Sequence, residues 1–195
     1  MKKKEHSVNI PTIEEVENEQ KRLRHRAVYQ RTLRGTIAVL LVVAAISVLV
    51  ATLWMPVLQI YGSSMSPTLE AGQIVVSVKT NQLKTGEVVA FWQGNKLLVK
   101  RVIAGPGQWV DIDMDGNVTV DGKELTEDYL DVKALGNCDV ELPHQVEESR
   151  WFLMGDNRDV SVDSRSAAIG DVSKDQIEGK IVFRIWPLNK TGSIQ

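Results

Sequence analysis

The sequence of 195 residues contains one cysteine, Cys138, and only three histidines. One cysteine cannot form a disulfide within the chain or a cysteine-based metal site. An unreactive loop thiol is the simplest interpretation of it, and a disulfide between two chains is the alternative. The formal net charge is −2, which gives no indication of a nucleic-acid partner. The sequence also predicts no metal and no cofactor.

No charged residue or histidine lies between Arg34 and Glu70, and residues 35–55 are almost all apolar. At about 1.5 Å per residue, a helix of this length spans roughly the 30 Å of a bilayer core. A buried helix of a soluble domain is the alternative, although such helices rarely run this long without a polar face. A cleaved signal sequence fits poorly, because a long segment precedes the apolar run. We therefore predict a retained anchor over residues 35–56, ended by Pro56.

Basic residues are concentrated before this anchor. Residues 1–34 hold 9 Lys/Arg and 5 Asp/Glu, whereas residues 35–195 hold 14 and 20. Because positively charged flanks stay in the cytoplasm, we predict a single-pass protein of the cell membrane. Its cytoplasmic tail would be residues 1–34 and its extracytoplasmic domain residues 57–195. Thr12-Ile13-Glu14-Glu15 matches a capping box, so we expect a helix to begin there and run towards the membrane.

The remainder of the sequence indicates a β-rich domain. Short β-branched runs alternate with glycine and aspartate turns, and no long amphipathic helix follows residue 60. Strands are predicted over residues 73–78, 87–92, 97–103, 109–114, 117–120, 151–154 and 180–185, with a few helical residues near 174–177. Asp115-Gly116 and Asp121-Gly122 predict hairpins. The run from Asp111 begins like a calcium loop, but Gly122 stands where a bidentate glutamate is needed.

Three segments of this domain contain residues suited to nucleophilic catalysis. Residues 61–70 (YGSSMSPTLE) place serines around a methionine, residues 97–103 (LLVKRVI) place a lysine in an apolar run, and residues 155–165 (GDNRDVSVDSR) concentrate charge and amides. Taken singly, they are most simply a linker, an edge strand with an outward lysine and a solvent loop with internal ion pairs. In that loop Asp156 is expected to pair with either Arg158 or Arg101.

Two catalytic schemes remain open for a serine in this domain. A Ser-His-Asp triad is available only to His144, because His6 and His25 lie in the predicted cytoplasmic tail. A Ser-Lys dyad requires a neutral lysine amine. Burial favours that form, because it disfavours the charged ammonium and lowers the lysine pKa. Lys100 fits this requirement best, since strand alternation places it on one face with Leu98 and Val102.

Taken together, the three segments resemble those of the bacterial type I signal peptidases. GSSMSPTL is similar to the serine box of that family, VKRVIAGPG to its lysine box, and GDNRDVSVDSR to its most distinctive box. Their order, their spacing and the single N-terminal anchor also match, in the short-tailed form typical of Gram-positive members. The resemblance covers about residues 35–190. It implies a mainly β fold, a twisted β-sheet catalytic domain behind one N-terminal transmembrane helix.

The resemblance also implies a role for each matching residue. Ser64 is the implied nucleophile and Lys100 the implied general base, with Ser161 hydrogen-bonded to the lysine amine. Asp163 with Arg165, and Asp156 with Arg101, are expected to form ion pairs that hold the charged loop. Expected substrate contacts are Met65, Gly62 and Leu98.

Two positions depart from the family pattern. Some members carry a serine where this chain has Gly62, and the hydroxyl of that serine joins the oxyanion hole. The oxyanion hole of this chain is therefore expected to consist mainly of backbone N–H groups, including that of Ser64. The family often has glycine where this chain has Ala104.

The activity implied is that of a membrane-anchored serine endopeptidase that forms an acyl-enzyme. Its partners would be the lipid bilayer and exported pre-proteins, cleaved after small residues at −1 and −3. Ser64 lies eight residues past Pro56, at most about 28 Å of extended chain. This tether keeps the hydroxyl near the membrane face, where the cleavage site of a signal peptide emerges.

Two other functions compete with this interpretation. A non-catalytic relative that serves as a chaperone for secreted or pilus precursors would be favoured if Ser64 or Lys100 were replaced, yet both are present. A self-cleaving repressor-type domain shares the dyad, but it needs a DNA-binding module where this chain has an apolar span.

Overall fold

The computed structural model describes residues 12–80 and 82–194. The chain divides into two compact units between Val50 and Ala51. The start of the predicted tail, including His6, lies outside the described residues.

A single helix, α1, spans Ile13–Trp54. It begins at the predicted capping box, where the Thr12 N–H donates to Glu15 Oε2 (2.9 Å) and the Glu15 N–H donates to Thr12 Oγ1 (3.4 Å). Its segment Ile13–Val50 is long and apolar enough to cross a membrane, judged by length and composition, and its apolar window is not buried. A core helix of a soluble domain would be mostly buried, so this exposure favours the predicted anchor over that alternative.

The second unit consists mainly of β-strands. In chain order they are β1 (Val57–Gln59), β2 (Ile74–Val78), β3 (Val88–Gln93), β4 (Lys96–Ala104), β5 (Trp109–Ile112), β6 (Val118–Val120), β7 (Lys123–Glu124), β8 (His144–Gln145), β9 (Arg150–Met154), β10 (Val172–Ser173), β11 (Ile177–Trp186) and β12 (Gly192–Ser193). Short 3-10 turns cover Lys174–Gln176 and Leu188–Lys190. The predicted fold, a mainly β domain with one long apolar N-terminal helix, is confirmed.

These strands form two antiparallel sheets. The larger sheet has the order β1-β2-β11-β3-β4-β9-β10, with β12 added to β11, and the smaller has the order β7-β6-β5-β8. β11 therefore lies between β2 and β3, which precede it by more than eighty residues in the chain. β4 pairs with β3 over Lys96–Arg101 and with β9 from Arg101 onwards. The alternative interpretation of Lys100, an outward lysine on an edge strand, is excluded because its side chain is buried.

Both predicted hairpins are present in the smaller sheet. Asp121 (φ 51°) and Gly122 (φ 72°) form the two-residue turn between β6 and β7, with both residues in the left-handed region that this turn requires. In the β5–β6 turn, the Asp113 carboxylate accepts the N–H groups of Asp115 and Asn117. These bonds end β5 at Ile112, two residues before the predicted end.

Apolar packing anchors the segment between β1 and β2 to the larger sheet. Met65 and Leu69 from this segment are buried against Val75, Val88, Ile181 and Ile194. Fully burying a side chain of this size contributes about 1.5–3 kcal/mol. The predicted serine box is therefore fixed by the core of the domain on one side and is not a free linker.

Candidate catalytic site

Ser64 and Lys100 lie side by side in the second unit. Lys100 Nζ is 2.7 Å from Ser64 Oγ, which is hydrogen-bonding distance. Lys100 lies at the middle of β4, paired with Val89 of β3, and Ser64 lies in the packed segment between β1 and β2. The charged ammonium donates to Ser64 Oγ, and a neutral amine can accept the Ser64 O–H at the same distance.

Lys100 is buried, with 3% of its surface exposed. Burial lowers the pKa of its amine from 10.5 to about 8; the Arg165 charge lowers it further, and the Asp163 and Asp156 carboxylates oppose the shift. The ammonium therefore loses its proton near pH 8, and a usable fraction of the amine is neutral close to physiological pH.

The lowered pKa of Lys100 predicts a stability effect of Lys100→Met. Because the pKa is lower in the folded protein, the folded state is penalised by the charge below pH 8, and the penalty vanishes above the unfolded value of 10.5. At about 1.4 kcal/mol per pKa unit, the variant should gain up to about 3 kcal/mol in free energy of unfolding at pH 7. Denaturant unfolding of both proteins from pH 6 to 10.5 measures this gain. The difference in free energy of unfolding between the variant and the wild type should shrink as the pH rises. A difference that does not change with pH would contradict a charge penalty at Lys100.

The charged loop 155–165 folds around two of the predicted ion pairs. Both nitrogens Nε and Nη2 of Arg165 donate to the Asp163 carboxylate at 2.9 Å, and both side chains are fully buried. Arg101 donates from Nε (2.9 Å) and Nη2 (2.7 Å) to Asp156. Asp156 thus pairs with Arg101, and the alternative pairing with Arg158 is excluded.

The Asp163 carboxylate is tied to the loop backbone as well. It also accepts the N–H of Gly155 at 2.9 Å. Burial alone would raise the pKa of this carboxyl, but the hydrogen bonds and charge of Arg165 and the Gly155 N–H bring it below its ordinary value. Asp163 therefore remains a carboxylate and places a fixed negative charge near the lysine.

The loop backbone contacts the backbone of Ser64 directly. The Asn157 N–H donates to the Ser64 carbonyl oxygen (3.1 Å). A Cβ placed on Gly155 would lie 2.5 Å from that oxygen and 2.2 Å from Ser161 Oγ. Only a residue without a side chain fits there, so glycine at position 155 permits the approach of the two segments.

The predicted hydrogen bond from Ser161 to the lysine amine is not formed in this structure. Ser161 Oγ is buried without a hydrogen-bond partner among the described residues. The hydroxyl lies close enough to the Asp163 carboxylate to contribute to the lowered pKa of that group, although the contact does not meet the geometry of a hydrogen bond. Lys100 Nζ is bonded to Ser64 instead.

Sequence reasoning missed two side chains in the segment after β7 that contact arginines of the site. Glu127 forms a buried ion pair with Arg158, and the ring of Tyr129 lies 3.8 Å from the Arg101 guanidinium carbon. Neither residue belongs to a recognisable motif. Charge balance offered a signal, because the two predicted pairs leave Arg158 without an acidic partner.

His144 lies in a different cluster. Its Nε2 is 3.0 Å from the carboxylate of Asp171, and its ring packs against Phe152 at a centroid distance of 5.5 Å. Since Ser64 is paired with Lys100, the described residues do not assemble a triad of Ser64 with His144.

A cleft of about 550 Å³ leads to the serine and the lysine. Its lining comprises residues 57–62, Ser64, Met65, Trp92, Asn95 and residues 97–100. The three predicted substrate contacts, Gly62, Met65 and Leu98, therefore all border the cleft. A Cβ on Gly62 would meet nothing within 4 Å, so this position opens into the cleft. Apolar side chains dominate the lining, which suits an extended apolar peptide.

Comparison with known proteins gives consistent results. A family model described as signal peptidase, peptidase S26, matches residues 33–186. Signal peptidase IB of Staphylococcus aureus (strain COL) is 38% identical over 152 residues, 67% of this chain and 78% of the relative. Signal peptidase I of Bacillus licheniformis is 32% identical over 169 residues, 78% of this chain and 88% of the relative. The crystal structure of a signal peptidase I from Enterococcus faecalis V583 matches with a TM-score of 0.43 at 25% identity, over 52% of this chain and 98% of that chain.

Proposed function

Because this chain belongs to the signal peptidases of peptidase family S26, its general activity is signal-peptide removal by a membrane-associated peptidase, and we propose that Ser64 and Lys100 form its catalytic dyad. The observation that carries the proposal is the 2.7 Å distance between Ser64 Oγ and a buried lysine amine. A nucleophilic serine needs a base in contact with its hydroxyl, and Lys100 occupies that position with a pKa lowered to about 8.

The reaction follows from these two groups. The neutral Lys100 amine accepts the Ser64 proton while Oγ attacks the scissile carbonyl carbon, and backbone N–H groups stabilise the oxyanion. The intermediate then expels the amine of the mature protein, which takes the proton from the Lys100 ammonium. The Lys100 amine, neutral again, then accepts a proton from a water molecule, which attacks the ester between Ser64 and the signal peptide. The signal peptide leaves with a free carboxylate, and Ser64 regains its proton.

Two strand edges can hold the substrate in the cleft. In the described part of the chain, β1 pairs only with β2, and residues 96–99 of β4 pair only with β3. Both border the cleft, so each offers a free row of backbone donors and acceptors on its other edge. An extended peptide can add to such an edge as a further strand, with alternate side chains pointing into pockets. This mode presents the scissile bond to Ser64 with a fixed register.

The cleavage rule belongs to the same proposal. Met65 is buried and Leu98 is half-buried where they line the cleft, and we propose that they wall shallow apolar depressions next to Ser64. Such depressions accept alanine and reject larger side chains, so small residues at −1 and −3 are preferred.

The test is cleavage of a synthetic precursor by the purified full chain in detergent. A peptide with alanine at −3 and −1 should be cut after −1, as determined by mass spectrometry. A matched peptide with leucine at −1 should be cut at least about 10-fold more slowly, because one large side chain misfitting a pocket costs about 1–3 kcal/mol. Binding of both peptides without cleavage by folded protein would contradict the dyad and support the non-catalytic chaperone.

Orientation is a further part of the proposal. The basic residues before the apolar run support a tail over residues 1–34 in the cytoplasm, an anchor over residues 35–56 and a catalytic domain over residues 57–195 outside. A protease added to intact cells should digest the chain beyond about residue 60 and spare a tag on the N-terminus. Protection of the outer domain with loss of the N-terminal tag would reverse the orientation.

A further inference from the structure

The segment that follows β7 contacts two arginines of the candidate site. We propose that Glu127 and Tyr129 of this segment are positioning residues for the reaction, which fix Arg158 and Arg101 and so hold the backbone of Ser64 in reach of Lys100. The inference rests on the proposed function, because its readout is turnover by Ser64.

Glu127 determines where Arg158 lies. The Glu127 carboxylate accepts both terminal nitrogens of the guanidinium, and the two side chains are 0% and 1% exposed. Neither charged group is in contact with solvent, so each charge is compensated only by the other and by its hydrogen bonds. Charge-assisted hydrogen bonds are also about twice as strong as neutral ones. The guanidinium is therefore held in one place.

Arg158 in turn determines where the loop meets Ser64. Its Nε donates to the Gly155 carbonyl oxygen (3.1 Å), and its own carbonyl oxygen accepts Arg165 Nη2 (2.9 Å). Gly155 packs against the Ser64 carbonyl oxygen, and the Asn157 N–H donates to it. A displacement of Arg158 is therefore transmitted to the Ser64 backbone through two contacts.

Tyr129 links the same carboxylate to the second arginine. Its hydroxyl donates to Glu127 Oε1 (2.9 Å), while its ring covers the Arg101 guanidinium at 3.8 Å. Burial raises the pKa of the Tyr129 phenol, and the Glu127 charge raises it further, so the hydroxyl keeps its proton. Arg101 follows Lys100 in β4 and also donates to Thr68 Oγ1 (3.1 Å), four residues after Ser64.

Loss of these contacts should reduce kcat and leave KM nearly unchanged. Glu127, Tyr129 and Arg158 do not line the cleft proposed to hold the substrate, so their loss leaves that surface in place. The distance between Ser64 and Lys100, however, depends on the backbone that they hold. A misplacement of about 1 Å in a catalytic group can cost on the order of 100-fold in rate.

The sharpest test is the double variant Glu127→Leu/Arg158→Met. Replacing a buried ion pair with apolar side chains of similar volume is often neutral or stabilising, so the variant should fold with at least nearly the wild-type Tm. We expect kcat to fall about 10- to 100-fold with KM within about 3-fold. The alkaline rise of kcat/KM should also move to higher pH, because a loosened site admits water and weakens the burial effect on Lys100.

Two single variants and one control complete the design. Tyr129→Phe keeps the ring over Arg101 and should lose less activity than Tyr129→Leu, which removes it. Asp171→Asn is the matched control: Asp171 is also a buried carboxylate, but its partners are His144 and the Glu147 N–H. It should lower Tm without changing kcat at temperatures well below the transition.

A double variant with wild-type Tm and wild-type kcat would overturn the positioning role. If that variant does not fold, Tyr129→Leu decides: an unchanged kcat and pH profile would overturn the role, and a reduced kcat with a shifted profile would support it. A failure of the proposed function is distinguishable from either result. In that case the wild type would not cleave the precursor, or Ser64→Ala would still cleave it.

Discussion

Ser64→Ala should abolish precursor cleavage, with a loss on the order of 10⁴- to 10⁶-fold in kcat/KM, as for removal of a nucleophile that works as a unit with its base. The substitution removes one oxygen and leaves the packing of Met65 and Leu69 intact. The Tm and the membrane insertion should therefore be unchanged. Steady-state cleavage of the alanine-bearing precursor and thermal unfolding in detergent measure the two effects.

The neighbouring serine provides the matched control for this prediction. Ser63 is exposed, and Ser63→Ala removes the same atom one residue away. It should keep most of the activity, as should Ser66→Ala. If Ser63→Ala were inactive and Ser64→Ala active, the nucleophile would have been assigned to the wrong serine.

Lys100→Arg should be inactive although it keeps the positive charge. Arginine stays protonated above pH 12, so it cannot accept the Ser64 proton. Removing a general base costs about 10²- to 10⁴-fold. The larger guanidinium must also fit in a space where Lys100 is 3% exposed, which adds to the loss.

The pH dependence of the wild type tests the same base. Because the neutral amine is the active form, kcat/KM should rise with pH and level off above an apparent pKa of about 8. This rising limb should be absent from any residual activity of Lys100→Arg. His144→Ala serves as the control and should change neither rate nor profile. An active Lys100→Arg enzyme, or a large loss in His144→Ala, would reopen the histidine triad.

Local chemistry explains which features could be predicted from the sequence. The capping box at Thr12 and the Asp121-Gly122 turn depend on neighbouring residues, so their structures follow from a few adjacent positions. The long strands were predicted from β-branched runs. The strands of two or three residues, such as β8 and β10, carry no periodic pattern, and their pairing depends on the chain around them.

The site itself divides in the same way. Recognisable motifs predicted Ser64 and Lys100 as the candidate pair, and their side chains lie within hydrogen-bonding distance in the structure. The partners of the arginines were harder to predict, because Glu127 and Arg158 are separated by 31 residues along the chain. The Ser161 interaction was predicted from resemblance alone, and the orientation of a buried hydroxyl cannot be read from a sequence.

The place of β11 in the larger sheet determines when an active molecule can exist. β11 joins β2 to β3, and Ile194 packs in the same cluster as Met65 and Leu69. The ribosome synthesises β11 after β2, β3 and β4, so the β2 and β3 sides of the sheet remain unjoined until β11 has been made. A chain that terminates early, before Ile177, would lack the strand that connects them. The site can therefore assemble only after β11 has been synthesised, and we expect a nascent chain that has not reached β11 to be unable to cleave a precursor.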